Sequence, residues 1–76
     1  MGRIFAQHAE AGLYHLETRY CEPNRWEWMV FKKGKTEAEF SGDTTTLEAA
    51  KKNAAMTVGL YEADWMPTGP AIDVPD

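Results

Sequence analysis

Three side chains in the first third of the chain could do metal or thiol chemistry: His8, His15 and Cys21. Imidazole and thiolate are common transition-metal ligands, and a Cys–His pair is the usual form of an activated thiol. Their spacing argues against both roles. From Leu13 to Cys21 the side chains alternate, with Tyr14, Leu16, Thr18 and Tyr20 on one side and His15, Glu17, Arg19 and Cys21 on the other. That is the period of a half-buried strand. At the rise of a strand, His15 and Cys21 are about 20 Å apart and cannot meet. His8 falls in a stretch of mixed pattern, and no cation or helix start is foreseeable beside Cys21 to favour its thiolate. No CxxC and no set of four ligands occurs, so no metal is expected.

Carboxylates are the next candidates. Glu37 and Glu39 share one side of a stretch with strand periodicity, and Glu17 and Glu27 could share a sheet face. Paired-carboxylate catalysis needs a cleft between the two groups, and a small sheet under one short helix offers little room for one. Ser41 is the single serine, at the end of a strand, and neither a GxGxxG nor a Walker pattern occurs. The expectation is a protein that is not an enzyme and uses no cofactor.

The elements that would position these residues follow from size and pattern. With 76 residues, the chain makes one domain and buries roughly 60% of the surface its unfolded form exposes. One cysteine leaves no intramolecular disulfide to compensate, and fits a reducing cytoplasm. Packing must supply the stability, and three Trp, three Tyr and three Phe provide large apolar areas for it. No signal peptide, membrane span or myristoylation pattern is visible at the start, so a cytoplasmic protein without a membrane role is expected. Eight basic against twelve acidic residues give a net charge of −4, which disfavours phosphate backbones as partners.

Residues 1–12 fit either a strand opening at Ile4 or a short helix with Phe5, Ala9 and Leu13 on one face. Arg25 to Lys32 is the strongest strand, aromatic and β-branched, with Trp26, Trp28 and Val30 on one side and Glu27, Met29 and Phe31 on the other. Glu22-Pro23-Asn24-Arg25 supplies the turn before it. Lys33-Gly34 marks a tight hairpin, after which Lys35 to Ser41 returns as a third strand, and Gly42-Asp43-Thr44 breaks the sheet. Thr45 and Glu48 stand at capping-box spacing. The helix they open carries Leu47, Ala50, Ala54, Val58 and Tyr61 on one face. It ends either at Gly59, with Leu60 folding back, or at Pro67. The expected fold is α+β: a three-stranded antiparallel meander with one C-terminal amphipathic helix on one face, spanning residues 1–66. Residues 67–76, with Pro67, Gly69, Pro70 and Pro75, read as an extended, mobile acidic tail.

Two resemblances bear on this. Ala49 to Ala55 is similar to the final helix of double-stranded-RNA-binding domains, but Leu47-Glu48 and Asp43 stand where those domains place cations. Arg25-Trp26-Glu27-Trp28, a Gly hairpin, Phe40-Ser41-Gly42 and Thr46-Leu47-Glu48-Ala49-Ala50-Lys51 resemble short bacterial and phage proteins over residues 25–58. Those share a Trp-rich hairpin, an SG step and a T-L-E-A-A helix start. The resemblance implies a ββα or βββα arrangement and no activity.

The central strand is apolar on both sides, and one helix covers one side. Either the N-terminal segment or the stretch with Trp65 and Met66 covers Met29 and Phe31, or they form an exposed patch of the kind that marks a binding surface. The second course predicts a protein-binding face of Glu27, Met29 and Phe31 rimmed by Glu17, Arg19, Glu37 and Glu39. Its occupant would be a second copy or another protein with a basic surface, as for an anti-CRISPR-like inhibitor of phage or mobile-element origin. The alternative is nucleic-acid binding through Lys32, Lys33 and Lys35 of the hairpin with Lys51 and Lys52 of the helix.

Overall fold

The first two turns between strands each carry a residue suited to reverse the chain. A computed structural model describes residues 2–74; the expectations for Pro75 and Asp76 in the tail lie outside them. Among the described residues are five strands and one helix: β1 (Gly2–Ala11), β2 (Tyr14–Glu22), β3 (Arg25–Lys32), β4 (Phe40–Thr44), α1 (Leu47–Thr57) and β5 (Met66–Val74). Gly12 takes φ 61° in the two-residue turn between β1 and β2, as the first central residue of a II′ turn requires. Asn24 takes φ 63° after Pro23 in the next turn, a conformation Asn tolerates better than most residues.

All neighbours are antiparallel, in the order β4-β3-β2-β1-β5. β4 and β5 lie at opposite edges, so α1 and residues 58–65 must cross one face to connect them. Beneath the crossing lie two apolar clusters, one of Ala9, Leu16, Val30 and Ala54, the other of Trp26, Leu47 and Ala50. Trp28 packs against both. The helix presents Ala50, Ala54 and Ala55 inward, all essentially buried, and these small side chains let it lie close over the tryptophans. Thr46 caps it by accepting a 3.1 Å hydrogen bond from the Ala49 amide. At the other end Gly59 takes φ 81°, its amide donates to Met56 and that of Leu60 to Ala55. This is a Schellman ending, the first of the two expected helix ends.

Several expectations are corrected here. The sheet has five strands rather than three, and the helix is internal rather than C-terminal. β1 escaped a clear reading because its alternation breaks: Ile4 and Ala6 face one apolar cluster, Ala9 and Ala11 the other. The β1–β2 ladder runs from Ala11↔Tyr14 to His8↔Glu17. At its end the buried Thr18 hydroxyl accepts from the Gln7 amide (2.8 Å) and donates to the Gln7 carbonyl (3.0 Å). Upstream, Gly2 to Ile4 pair with β5. Residues 67–74, read as tail, join Met66 in this fifth strand, since prolines that would break a central strand are tolerated at an edge. Its register with β1 shifts between Ile4 and Ala6, where Gly69 takes φ 73°.

The return strand also differs. Residues 33–39 form a loop, and β4 begins only at Phe40, so Gly42-Asp43-Thr44 continues the sheet. A side chain at Gly42 would have its Cβ 2.8 Å from the Trp28 indole nitrogen. The glycine therefore makes room for Trp28 and does not break the strand. The helix cap is Thr46, not Thr45.

Candidate functional site: the open face of the sheet

The face opposite α1 is the candidate site, and the strand registers assemble it. His8, Glu17, Met29 and Ser41 form one row across β1 to β4, Glu10, His15 and Phe31 a second, and Arg19, Glu27 and Asp43 a third. No strand or helix among the described residues packs over these rows: α1 contacts β2, β3 and β4 from the other side. Neither of the two covers expected from sequence is used. The N-terminal segment is β1, beside β2, and Trp65 packs on the cluster of Leu16, Val30 and Ala54. Met29 and Phe31 are half-buried by their neighbours within the sheet.

Of the residues expected to form the face, Glu17, Arg19, Glu27, Met29 and Phe31 are brought together on it. Glu17 stands opposite Met29, and Arg19 opposite Glu27, with Arg19 Nη2 2.5 Å from Glu27 Oε1. Glu37 is not in the sheet; it lies in the 33–39 loop. Glu39 precedes β4, donates its amide to the Val30 carbonyl and sits 4.0 Å from the Lys32 ammonium.

The face also holds a cluster that the sequence did not suggest. His15 is clamped between two carboxylates, Nδ1 2.5 Å from Glu10 and Nε2 2.9 Å from Glu17. Its ring lies 5.9 Å from that of His8 and 6.2 Å from that of Phe31. His8 Nδ1 in turn shares a hydrogen bond with the Thr68 hydroxyl of β5. With both ring nitrogens facing carboxylates, the imidazolium is the form that donates to each. Partial burial by itself lowers the His15 pKa, but the hydrogen bonds and charges of Glu10 and Glu17 outweigh it and hold the group above its usual 6.5. The hydrogen bond from His15 likewise holds Glu10 below its usual 4.5. The missed signal was the two-residue turn at Gly12-Leu13, which sets His15 opposite Glu10.

A shallow recess of about 320 Å³ opens beside this clamp, lined by Glu10, His15, Glu17, Phe31 and the Lys32–Lys35 corner. Among the described residues no group of three or more His, Cys, Asp or Glu side chains can hold a metal ion. The clamp shows why: Glu10 and Glu17 address opposite nitrogens of one ring, so they diverge instead of converging on a common point. Cys21 is exposed, near the far end of β2 from His15. Of the helix lysines, Lys51 lies 3.7 Å from Glu48 and 5.9 Å from the centre of the Trp65 ring, on the other side of the sheet from the clamp.

No family model matches the chain, and no curated protein or solved structure matches it either. The arrangement on the open face must therefore be read from its own chemistry. It offers apolar contact at Met29 and Phe31, carboxylates held in place by Arg19 and His15, and no enclosed cavity. Among the described residues no helix is long and apolar enough to cross a membrane.

Proposed function

We propose that this chain is a protein-interaction module whose open sheet face docks on a basic surface of a partner protein. The observation that carries the reading is the placement of Met29 and Phe31 on a face that no other element among the described residues covers. Methionine and aromatic side chains are enriched at interface cores, and charged groups at their rims. Glu10, Glu17, Glu27 and Asp43 lie around Met29 and Phe31 with Arg19 and Arg25, the cationic Lys32–Lys35 corner borders the face beside Phe31, and the chain as a whole carries a net charge of −4. Such a surface accelerates and orients encounter with a cationic partner. Ion pairs and the His15 clamp hold several of these side chains in place, which lowers the entropy lost on docking. With the resemblance over residues 25–58, the finer reading is an anti-CRISPR-like inhibitor that occupies a surface built for nucleic acid.

The test compares wild type with Met29→Ala/Phe31→Glu, each shown to be folded by circular dichroism, as bait in a lysate with mass-spectrometric readout. A partner held by wild type is then measured by titration at two salt concentrations. Loss of a central apolar anchor is worth about 2 kcal/mol or more, roughly a 30-fold weaker complex, and added salt should weaken the wild-type complex further. Equal retention by both baits would remove this face from the function.

A further inference from the structure

The two edges of the sheet are built differently. β5 is blunted at its edge by Pro67 and Pro70, which lack an amide proton, and by the register shift near Gly69. β4 runs Phe40-Ser41-Gly42-Asp43-Thr44 and has neither proline nor lysine. β3 and α1 are the elements it contacts among the described residues, so its outer edge is a free strand template. Trp28 lies directly across Gly42, at the contact distance noted above, and carries an aromatic surface over the edge strand. Phe40, on the same side of the sheet at the start of β4, is 49% exposed.

We propose that β4 pairs with β4 of a second copy, antiparallel, about a two-fold axis through Gly42 and perpendicular to the sheet. Charge selects this register over its neighbours. Centred on Gly42, Ser41 stands opposite Asp43 of the second copy, and Phe40 opposite Thr44. The Ser41 hydroxyl can then donate to that carboxylate, whose Oδ2 otherwise lies at the long distance of 3.5 Å from Arg25. Centred on Ser41, the pairing would set Asp43 against Glu39; centred on Asp43, it would set two Asp43 carboxylates against each other. Like charges directly opposite in a sheet are destabilising. At the axis two glycines meet without side chains, and the two Trp28 indoles approach one another over them. The axis keeps both helices on one side of a ten-stranded sheet and both open faces on the other. It therefore presents the proposed docking face twice, but does not depend on that function. With five residues per strand, the dimer is a weak one that dissociates on dilution.

Sedimentation velocity over a concentration series tests this with three full-length chains: wild type, Ser41→Asp and Ser41→Lys. Ser41 is exposed, and circular dichroism confirms that each variant is folded. Ser41→Asp sets a carboxylate against Asp43 of the other copy at two symmetry-related places and should weaken the dimer. Ser41→Lys sets an ammonium there and should tighten it. The expected shifts in Kd are about tenfold each way, both reduced by salt. A wild type that stays monomeric throughout the series overturns the proposal. So does a dimer whose Kd the two substitutions do not move in opposite directions. That second result would assign self-association to another surface, such as the exposed Met56 and Tyr61 or the open face around Phe31.

Discussion

At the scale of single residues, Thr18 and Gly42 show how much one side chain can decide. Thr18 replaces a missing stretch of ladder by bonding both backbone groups of Gln7. Thr18→Val keeps the shape and strands a part-buried amide and carbonyl, at a cost of about 1–3 kcal/mol measurable by urea unfolding. Gly42→Ala drives a Cβ into the Trp28 ring and should cost about 1–3 kcal/mol in the same experiment. An unchanged midpoint in either variant would contradict the packing described. His15 makes a prediction in pH. Its pKa is raised on folding, so its stabilising contribution is fully present below about 6.5 and is lost as pH rises through the folded value. That of Glu10 is lowered, so its contribution is present above about 4.5 and is lost as pH falls through the folded value. The clamp is therefore strongest in mildly acidic solution. His15→Gln should lower the melting temperature more at about pH 5.5 than at about pH 8.5, and equal shifts would show that the clamp is not charged.

At the scale of elements, the helix and the central hairpin were legible because their patterns are local. Trp26, Trp28 and Val30 alternate without interruption, and the Gly59-Leu60 ending needs only the backbone around it. β1, β4 and β5 were not legible, for two physical reasons. β1 contains a parity break between Ala6 and Ala9, so its apolar residues fit neither a period of two nor one of 3.6. β4 and β5 carry Gly42, Pro67, Gly69 and Pro70, residues that argue against a strand unless its position at an edge, or beside Trp28, is already known. β5 contributes Ile72 to the cluster under the helix N-terminus, and its removal would leave Ile4 and the upstream half of β1 unpaired. A chain ending after Asp64 should therefore lose cooperative thermal unfolding by circular dichroism. Retention of a sharp transition would show that the four remaining strands and α1 suffice.

At the scale of the whole molecule, the site is a matter of which surfaces are left over. One helix over five strands covers one face, and the opposite face collects His8, Glu10, His15, Glu17, Arg19, Glu27, Met29 and Phe31 from three strands. Leu16 and Val30 are the largest side chains fully buried on the helix side. Leu16→Ala should cost about 2–5 kcal/mol in urea unfolding. Met29→Ala, half-buried on the open face, should cost less than that while still weakening a partner complex. If Met29→Ala were as destabilising as Leu16→Ala, the open face would be part of the core and not a docking surface.

What the sequence by itself determined are properties carried by neighbouring residues. These are the strand character of Leu13–Cys21 and Arg25–Lys32, the two faces of the Trp strand, the amphipathic helix from Leu47 and the acidic balance. Glu17, Arg19, Glu27, Met29 and Phe31 could be placed together in advance because alternation along adjacent strands is a local rule. Tertiary structure alone decided that β1 lies beside β2 and β5 beside β1. Those pairings bring Glu10 to His15 and Thr68 to His8, while the start of β4 at Phe40 leaves Glu37 in a loop outside the sheet. They join residues as far apart as Gly2 and Val74, where no local periodicity operates. Long-range strand pairing is settled by how the whole apolar surface can be buried at once, and that balance is not written in any short stretch of chain.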